Sequence, residues 1–271
     1  MASSHNLSPT PRCTFVFFSP ALLVMPFRIP FAGDGEVFTP DSVLSHCYGA
    51  LLPMFTTKEA TTLRQLCREF KSTVADFPWE DEETVILGSV AAWRACFPRA
   101  RWANVRQGWK GRNSPVVDAD FVHFVGLRRL NMSCCRSVTD AAFVHLKGIH
   151  TLDMAYCSQS TITDAAFVHL KGINTLNMAF CHQATITDAS IAHLKGIHNL
   201  SLFYCLQLTS AVFTHLKGIK RLNIGYCPQL NLTDDSLKGI EWLNMYNHSQ
   251  AQVEQAESLG YPVKQSMHSV V

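Results

Sequence analysis

TDAAFVHLKGIHTLDMAYCSQSTI fills residues 139–162, and TDAAFVHLKGINTLNMAFCHQATI fills residues 163–186. A third copy, TDASIAHLKGIHNLSLFYCLQL, runs from 187 to 208. Two shorter matches follow, SAVFTHLKGIKRLNIGYCPQLNL at 210–232 and DDSLKGIEWLNMYNH at 234–248. A repeat length in the low to mid twenties marks a solenoid, in which each unit covers the apolar face of its neighbour. The pattern turns the functional question from bond chemistry toward binding.

Within each copy the frame L/I-x-x-L-x-L/M/I-x-x-C alternates with period two, which predicts a short strand with one buried face. It is filled by Leu127, Leu130, Met132 and Cys135, then by Ile149, Leu152, Met154 and Cys157. The later copies use Ile173, Leu176, Met178 and Cys181; Ile197, Leu200, Leu202 and Cys205; and Ile219, Leu222, Ile224 and Cys227. In the last copy Leu243 and Met245 hold the strand, and His248 replaces the cysteine. The following T-D-A-A-F-V-H-L-K-G predicts a helix of about two turns. Thr139, Thr163, Thr187 and Thr233, each followed by Asp, supply N-cap oxygens and negative charge. Gly148, Gly172, Gly196, Gly218 and Gly239 stop the helix in a left-handed conformation.

One strand and one helix per unit resembles the leucine-rich repeat, and the closing cysteine resembles its cysteine-containing subclass. The expected fold is therefore α/β, a short horseshoe with parallel strands on its concave face and helices outside. A degenerate upstream copy, Ala100 to Val105, matches Leu127 to Met132 and is the expected opening rung, with Trp93 and Phe97 sealing the core. SQAQVEQAESLGYPV at 249–263 predicts a terminal cap, a helix stopped by Gly260 and then an extended piece. About six rungs are expected, spanning on the order of 30 Å at sheet spacing.

Bulk properties narrow the function classes. The 271 residues are 47% apolar and 16% charged, a composition that argues for a buried core rather than disorder. A formal charge of +2 does not point to nucleic acid. No CxxC occurs among the ten cysteines, so neither a zinc ribbon nor a redox pair is indicated. Cys135, Cys157, Cys181, Cys205 and Cys227 recur at one repeat position and stack about 5 Å apart along the sheet. Disulfide geometry does not exclude their pairing. Small buried groups with weak S–H donors are the simpler reading, which favours a reducing compartment, cytoplasmic or nuclear. Residues 13–32 are apolar, but Pro20, Pro26 and Pro30 argue against a membrane helix. A disordered leader, a signal peptide and a start at Met25 remain alternatives for residues 1–36.

Residues 38–79 carry no repeat and read as helical. Val43, Leu44, Cys47, Leu51 and Leu52 make one apolar stripe; Ala60, Leu63, Leu66, Cys67 and Phe70 make a second, capped by Thr56 or Thr57. This stretch resembles an F-box. Pro40, Asp41, Val43 and Leu44 fit that family's opening, Leu51-Leu52-Pro53 its middle, and Leu63, Leu66, Cys67, Arg68 and Phe70 its third part, with Trp79 as the closing aromatic. The match departs where Phe38-Thr39 stands for Leu before Pro, Leu66 for Val and Phe70 for Trp. An F-box followed by cysteine-type leucine-rich repeats is a known family arrangement. The resemblance implies the substrate-recognition subunit of a cullin-type SCF ubiquitin ligase. Pro40, Leu44, Leu51, Leu66 and Phe70 would bind the Skp-type adaptor, and the repeats would hold a target protein. The main alternative is a leucine-rich-repeat binding scaffold without ligase association, its N-terminal helices merely capping the solenoid. An enzyme with a site between the modules and a secreted receptor-like protein are further alternatives. The expected division is a leader at 1–36, an F-box-like module at 37–84, repeats at 85–248 and a cap and tail at 249–271.

On the concave face the variable positions are the candidates for target contact: Arg129, Asn131, Asp153, Asn177, Asn199, Ser201, Phe203, Arg221, Asn223, Trp242 and Tyr246. They are expected to be exposed, forming an amide- and aromatic-rich surface suited to protein recognition. Tyr156, Phe180, Tyr204 and Tyr226 either join that surface or pack beneath the following turn. His145, His169, His193 and His215 form a row without a completing carboxylate or thiolate, and read as copied scaffold rather than a metal site. The arginines from 94 to 136 either grip an acidic segment or balance Glu80, Asp81, Glu82 and Glu83. No catalytic motif, cofactor, nucleic-acid partner or membrane partner is expected.

Overall fold

The computed structural model describes residues 52, 55–63, 68–108 and 115–265, with residues 62, 63 and 68–71 described as backbone only. Eight parallel strands form one sheet in chain order: β1 (Trp102–Asn104), β2 (Arg129–Asn131), β3 (Thr151–Asp153), β4 (Thr175–Asn177), β5 (Asn199–Ser201), β6 (Arg221–Asn223), β7 (Trp242–Asn244) and β8 (Val263–Lys264). The chain is a leucine-rich-repeat solenoid. Leu130, Leu152, Leu176, Leu200, Leu222 and Leu243 stand in register along the sheet, preceded by Ala103 of the degenerate rung, and all are buried. Eight strands span about 34 Å at about 4.8 Å each, more than the six rungs the repeats alone suggest. The sequence pattern does not reveal the extended piece at 263–264 as a paired strand.

The predicted helix is an α-turn followed by a 3-10 turn, Asp140–Phe143 then Val144–Leu146, and likewise Asp164–Phe167 then Val168–Leu170. Phe143, Leu146, Phe167 and Leu170 are buried against the strands. The glycine that ends each unit has φ between +81° and +86°, the left-handed region where a Cβ is disfavoured. Thr139, Thr163 and Thr187 cap their helices as expected, and Thr209 does so as well. Thr233 does not. Thr139 precedes Gly148 by a full helical stretch, whereas the shortened last unit brings Gly239 so close to Thr233 that only turns fit. There Asp234 instead accepts a hydrogen bond from Ser236 N–H.

Three side-chain ladders lock unit to unit. Asp140 accepts two bonds from Thr163 in the next unit, from N at 2.7 Å and from Oγ1 at 2.6 Å. Asp118 with Thr139, Asp164 with Thr187 and Asp188 with Thr209 repeat the arrangement. Gln159, Gln183, Gln207 and Gln229 each donate to the carbonyl of the preceding unit's cysteine. The cysteines form the third. Cys157, Cys181, Cys205 and Cys227 are free thiols donating to Met132, Met154, Met178 and Leu202 carbonyls at 3.0–3.3 Å, and Cys135 donates to Val105. His248 continues the row with Nε2 to Ile224 O at 2.9 Å, doing what the thiol does elsewhere. Burial pushes the thiols up, Cys135 to about 12 and Cys227 to about 11, so they are neutral donors rather than nucleophiles.

Both ends of the hydrophobic core are capped. At the first, Trp79 is buried edge-on to Phe97 at 5.7 Å and donates Nε1 to Val74 O at 2.7 Å. Its carbonyl accepts from Arg101 and Trp102, and Ile86 N–H bonds Asn104 O, so the segment before β1 covers its open edge. Trp93 and Phe97 lie at this end, as expected. Two helical segments, Thr57–Leu63 and Arg68–Asp76, belong to the same small core through Ala60 and Val74. Thr56 is the cap: Oγ1 accepts from Glu59 N, and Glu59 Oε2 accepts from Thr56 N. Thr57 instead donates its N–H and hydroxyl to Asp81. At the far end the helix Gln250–Ser258 starts at Ser249, and Gly260 at φ +83° turns the chain into β8. Among the described residues no helix is long and apolar enough to cross a membrane.

Candidate functional site

Side chains alternate along each strand, so the residues flanking the buried leucines define the open face of the sheet. The first row is Trp102, Arg129, Thr151, Thr175, Asn199, Arg221 and Trp242, all half-exposed. It is bracketed by two matching pairs. The Arg129 guanidinium lies over the Trp102 ring at 5.5 Å, and that of Arg221 over Trp242 at 5.5 Å. Between them Asn199 Nδ2 donates to Thr175 Oγ1 at 3.0 Å. A groove of about 460 Å³ runs over Trp102, Arg129, Thr151, Thr175, Asn199 and Arg221.

The second row corrects the expectation of exposure. Asn177, Ser201, Asn223 and Asn244 are buried, and Asn131 and Asp153 are half-buried. In all of them but Ser201 the side-chain carbonyl or carboxylate oxygen turns back on the chain. Asn131, Asp153, Asn177, Asn223 and Asn244 each accept from the backbone N–H two residues on, at 3.0–3.1 Å. These side chains satisfy backbone donors where the strand ends, a local role that alternation does not reveal. Asp153 is the one acid in the row, and burial raises its carboxyl above the usual range. A raised folded pKa means the native state prefers the protonated form. The cost of the carboxylate is full above that folded pKa and is relieved as pH falls through it toward 3.8. Asn223 shows the neutral solution, its Oδ1 accepting from both Gly225 N and Asn244 Nδ2. Asp153→Asn should therefore raise the urea midpoint at pH 7, with the gain shrinking as pH falls through the raised folded pKa toward 3.8. A variant less stable than the parent at pH 7 would contradict this.

The third row, Ser133, Ala155, Ala179, Phe203, Gly225 and Tyr246, holds a second correction. Phe203 is only 8% exposed, because its ring lies over Gly225; a Cβ there would meet the ring at 2.9 Å. With Ala155 and Ala179 it forms a small apolar cluster beneath Phe180, Tyr204 and Tyr226.

Those aromatics are the most distinctive feature of the face. Tyr156 and Phe180 stack at 4.3 Å with 9° between planes, and Phe180 and Tyr204 stack at 5.2 Å. Tyr226 continues the line to Tyr246 at 5.3 Å. All remain partly exposed, Tyr156 by 36%. Tyr156, Phe180, Tyr204 and Tyr226 have φ of +61°, +60°, +58° and +56°. Each sits in the turn closed by the following cysteine's N–H, as Cys157 N bonds Met154 O at 3.1 Å. A bulky side chain in this left-handed position costs about 1–2 kcal/mol relative to glycine. Sequence spacing gives the row but not its strained backbone.

Of the expected adaptor contacts, Pro40, Leu44, Leu51 and Leu66 lie outside the described residues, and Phe70 lies on the helix Arg68–Asp76 without a described side chain. The arginines near the first strand are largely engaged: Arg101 pairs with Glu80, Arg129 with Glu82 and Arg99 with Asp76, while Arg94 bonds the carbonyls of Ala100 and Val125.

No family model matches the sequence, and no curated protein matches it. Among solved structures it is similar to a chain of the yeast Rad7–Elc1 complex, at 16% identity and TM-score 0.38, over 51% of this chain and 42% of that one. It is also similar to a chain of the TLR13–ssRNA13 complex, at 15% identity and TM-score 0.47, over 69% of this chain and 28% of that one. The chain spans less than half the length of either. The fold assignment rests on strand order, register and the repeated buried leucines.

Proposed function

We propose that the chain is a protein-recognition subunit that binds its target on the strand face of the repeats. The carrying observation is the aromatic row Tyr156, Phe180, Tyr204 and Tyr226, half-exposed and held in left-handed backbone where glycine or asparagine would be less strained. The same left-handed turn recurs at Cys134 and Asn247, so the turn belongs to the repeat; what supports a role in contact is that four successive units fill it with a partly exposed aromatic. Partly exposed aromatics over a small apolar cluster, beside a polar groove, match the composition of protein-binding surfaces.

The F-box resemblance extends this reading to the substrate-recognition subunit of a cullin-type ubiquitin ligase. Such a chain holds and orients a target rather than performing the bond chemistry, and works in the cytoplasm or nucleus. The scaffold alternative has its own support, because Trp79, Ala60 and Val74 share a core with Phe97 and Ala100 and so cap the first rung. Capture of a purified Skp-type adaptor by the full chain separates the two. Retention of the adaptor, lost on Leu44→Arg with the repeats still folded, supports the ligase reading. No retention by folded protein leaves the scaffold reading.

A further inference from the structure

We propose that the strand face takes an extended acidic protein segment, one carboxylate of which seats on the Arg221–Trp242 pair; this deepens, and rests on, the reading of that face as the target surface. The molecule holds an internal example of the contact. Arg129, laid over Trp102, binds the Glu82 carboxylate at 3.0 Å. Arg221 lies over Trp242 at the same 5.5 Å, half-exposed, and among the described residues no carboxylate pairs with it. An indole beneath the guanidinium limits its rotation, and Arg221 Nε is buried without a hydrogen-bond partner, so a carboxylate seated on this half-exposed side chain would meet a donor that the described residues leave unused. The adjacent Lys220 is already engaged by Glu241 at 3.0 Å.

The charge of the face favours an acidic occupant. Arg106, Arg129, Arg221 and, on β8, Lys264 are its cations. Of its acids, Asp153 is turned onto the Ala155 N–H and Glu82 is held by Arg129. Between the two arginine–tryptophan pairs, Thr151, Thr175 and Asn199 supply hydroxyl and amide groups for a peptide backbone. The pairs are four strand spacings apart, about 19 Å, which an extended segment covers in about six residues. Glu82 is largely exposed, so its ion pair is weak enough for an incoming acid to share Arg129.

The test uses the full chain and fluorescein-labelled decapeptides of serine, glycine and leucine, read by fluorescence anisotropy. One carries two glutamates six positions apart; the others carry glutamine or phosphoserine at the same places. The glutamate peptide should bind at least tenfold tighter than the glutamine peptide, and Arg221→Gln should erase that preference while thermal unfolding stays unchanged. Arg221→Lys, which keeps the charge but loses the fork, should retain part of it. Equal binding of glutamate and glutamine peptides, no binding of either, or a preference surviving Arg221→Gln would overturn the proposal. So would binding confined to the phosphoserine peptide. Adaptor capture is measured on the same preparations: its loss with the peptide preference intact sinks only the ligase reading, and the reverse result sinks only the acidic segment.

Discussion

Leu176→Ala is expected to destabilise the protein by about 3 kcal/mol, the middle of the range for truncating a buried leucine. Leu176 is wholly buried in β4, in register with Leu152 on one side and Leu200 on the other. The cavity would open in the middle of a stack where each unit touches only its neighbours, so coupling between the two halves should fall as well. Urea unfolding followed by circular dichroism should show an earlier and broader transition. Thr175→Ala, one residue away but half-exposed, should change stability by well under 1 kcal/mol. A loss below 1 kcal/mol for Leu176→Ala would mean that the aligned leucines do not carry the core.

Asp164→Ala is expected to cost about 2 kcal/mol, more than its place at a surface helix start suggests. Its carboxylate accepts from Thr187 N at 2.7 Å and from Thr187 Oγ1 at 2.6 Å, both charge-assisted. Thr187 Oγ1 in turn accepts from Ala189 N at 3.3 Å, capping the next helix. Removing the acid frees the threonine to rotate, so a unit-to-unit bond and a cap are weakened together. Asp164→Ala and Thr187→Ala should therefore be non-additive, the double variant costing clearly less than the sum of the singles. Simple addition would show that the two groups act independently.

The same pair explains how far the sequence could be read. Thr187-Asp188 is visible as a cap followed by a charge, because both roles act within the helix they start. That Asp164 reaches Thr187 in the following unit is invisible to a pattern read along one unit. The degenerate rung was legible because Ala103 and Asn104 keep the spacing of Leu130 and Asn131, and those residues do pair. Alternation correctly separated the leucines from the open rows, yet it misplaced Asn177 and Asn223. Their amides bend back to backbone donors, a choice made by local hydrogen bonding rather than by period. Phe203 was misplaced for a different reason: only the missing side chain of Gly225, one unit later, lets its ring lie down. The glutamines that follow Cys157, Cys181, Cys205 and Cys227 by two positions were there to be noticed, as was Thr209. The left-handed backbone of the aromatics was not, since nothing in a tyrosine announces a positive φ.

Recognition by the strand face is tested most directly by comparing what the full chain captures with and without that face. Three folded proteins are needed: the parent, Phe180→Ser/Tyr204→Ser on the aromatic row, and His169→Ala/Lys171→Ala on the helix side as control. Proteins held by both the parent and the control should be lost from the aromatic-row variant, with all three unfolding at closely similar temperatures. Retention of the same proteins by the aromatic-row variant, or their loss from the helix-side control alone, would contradict it.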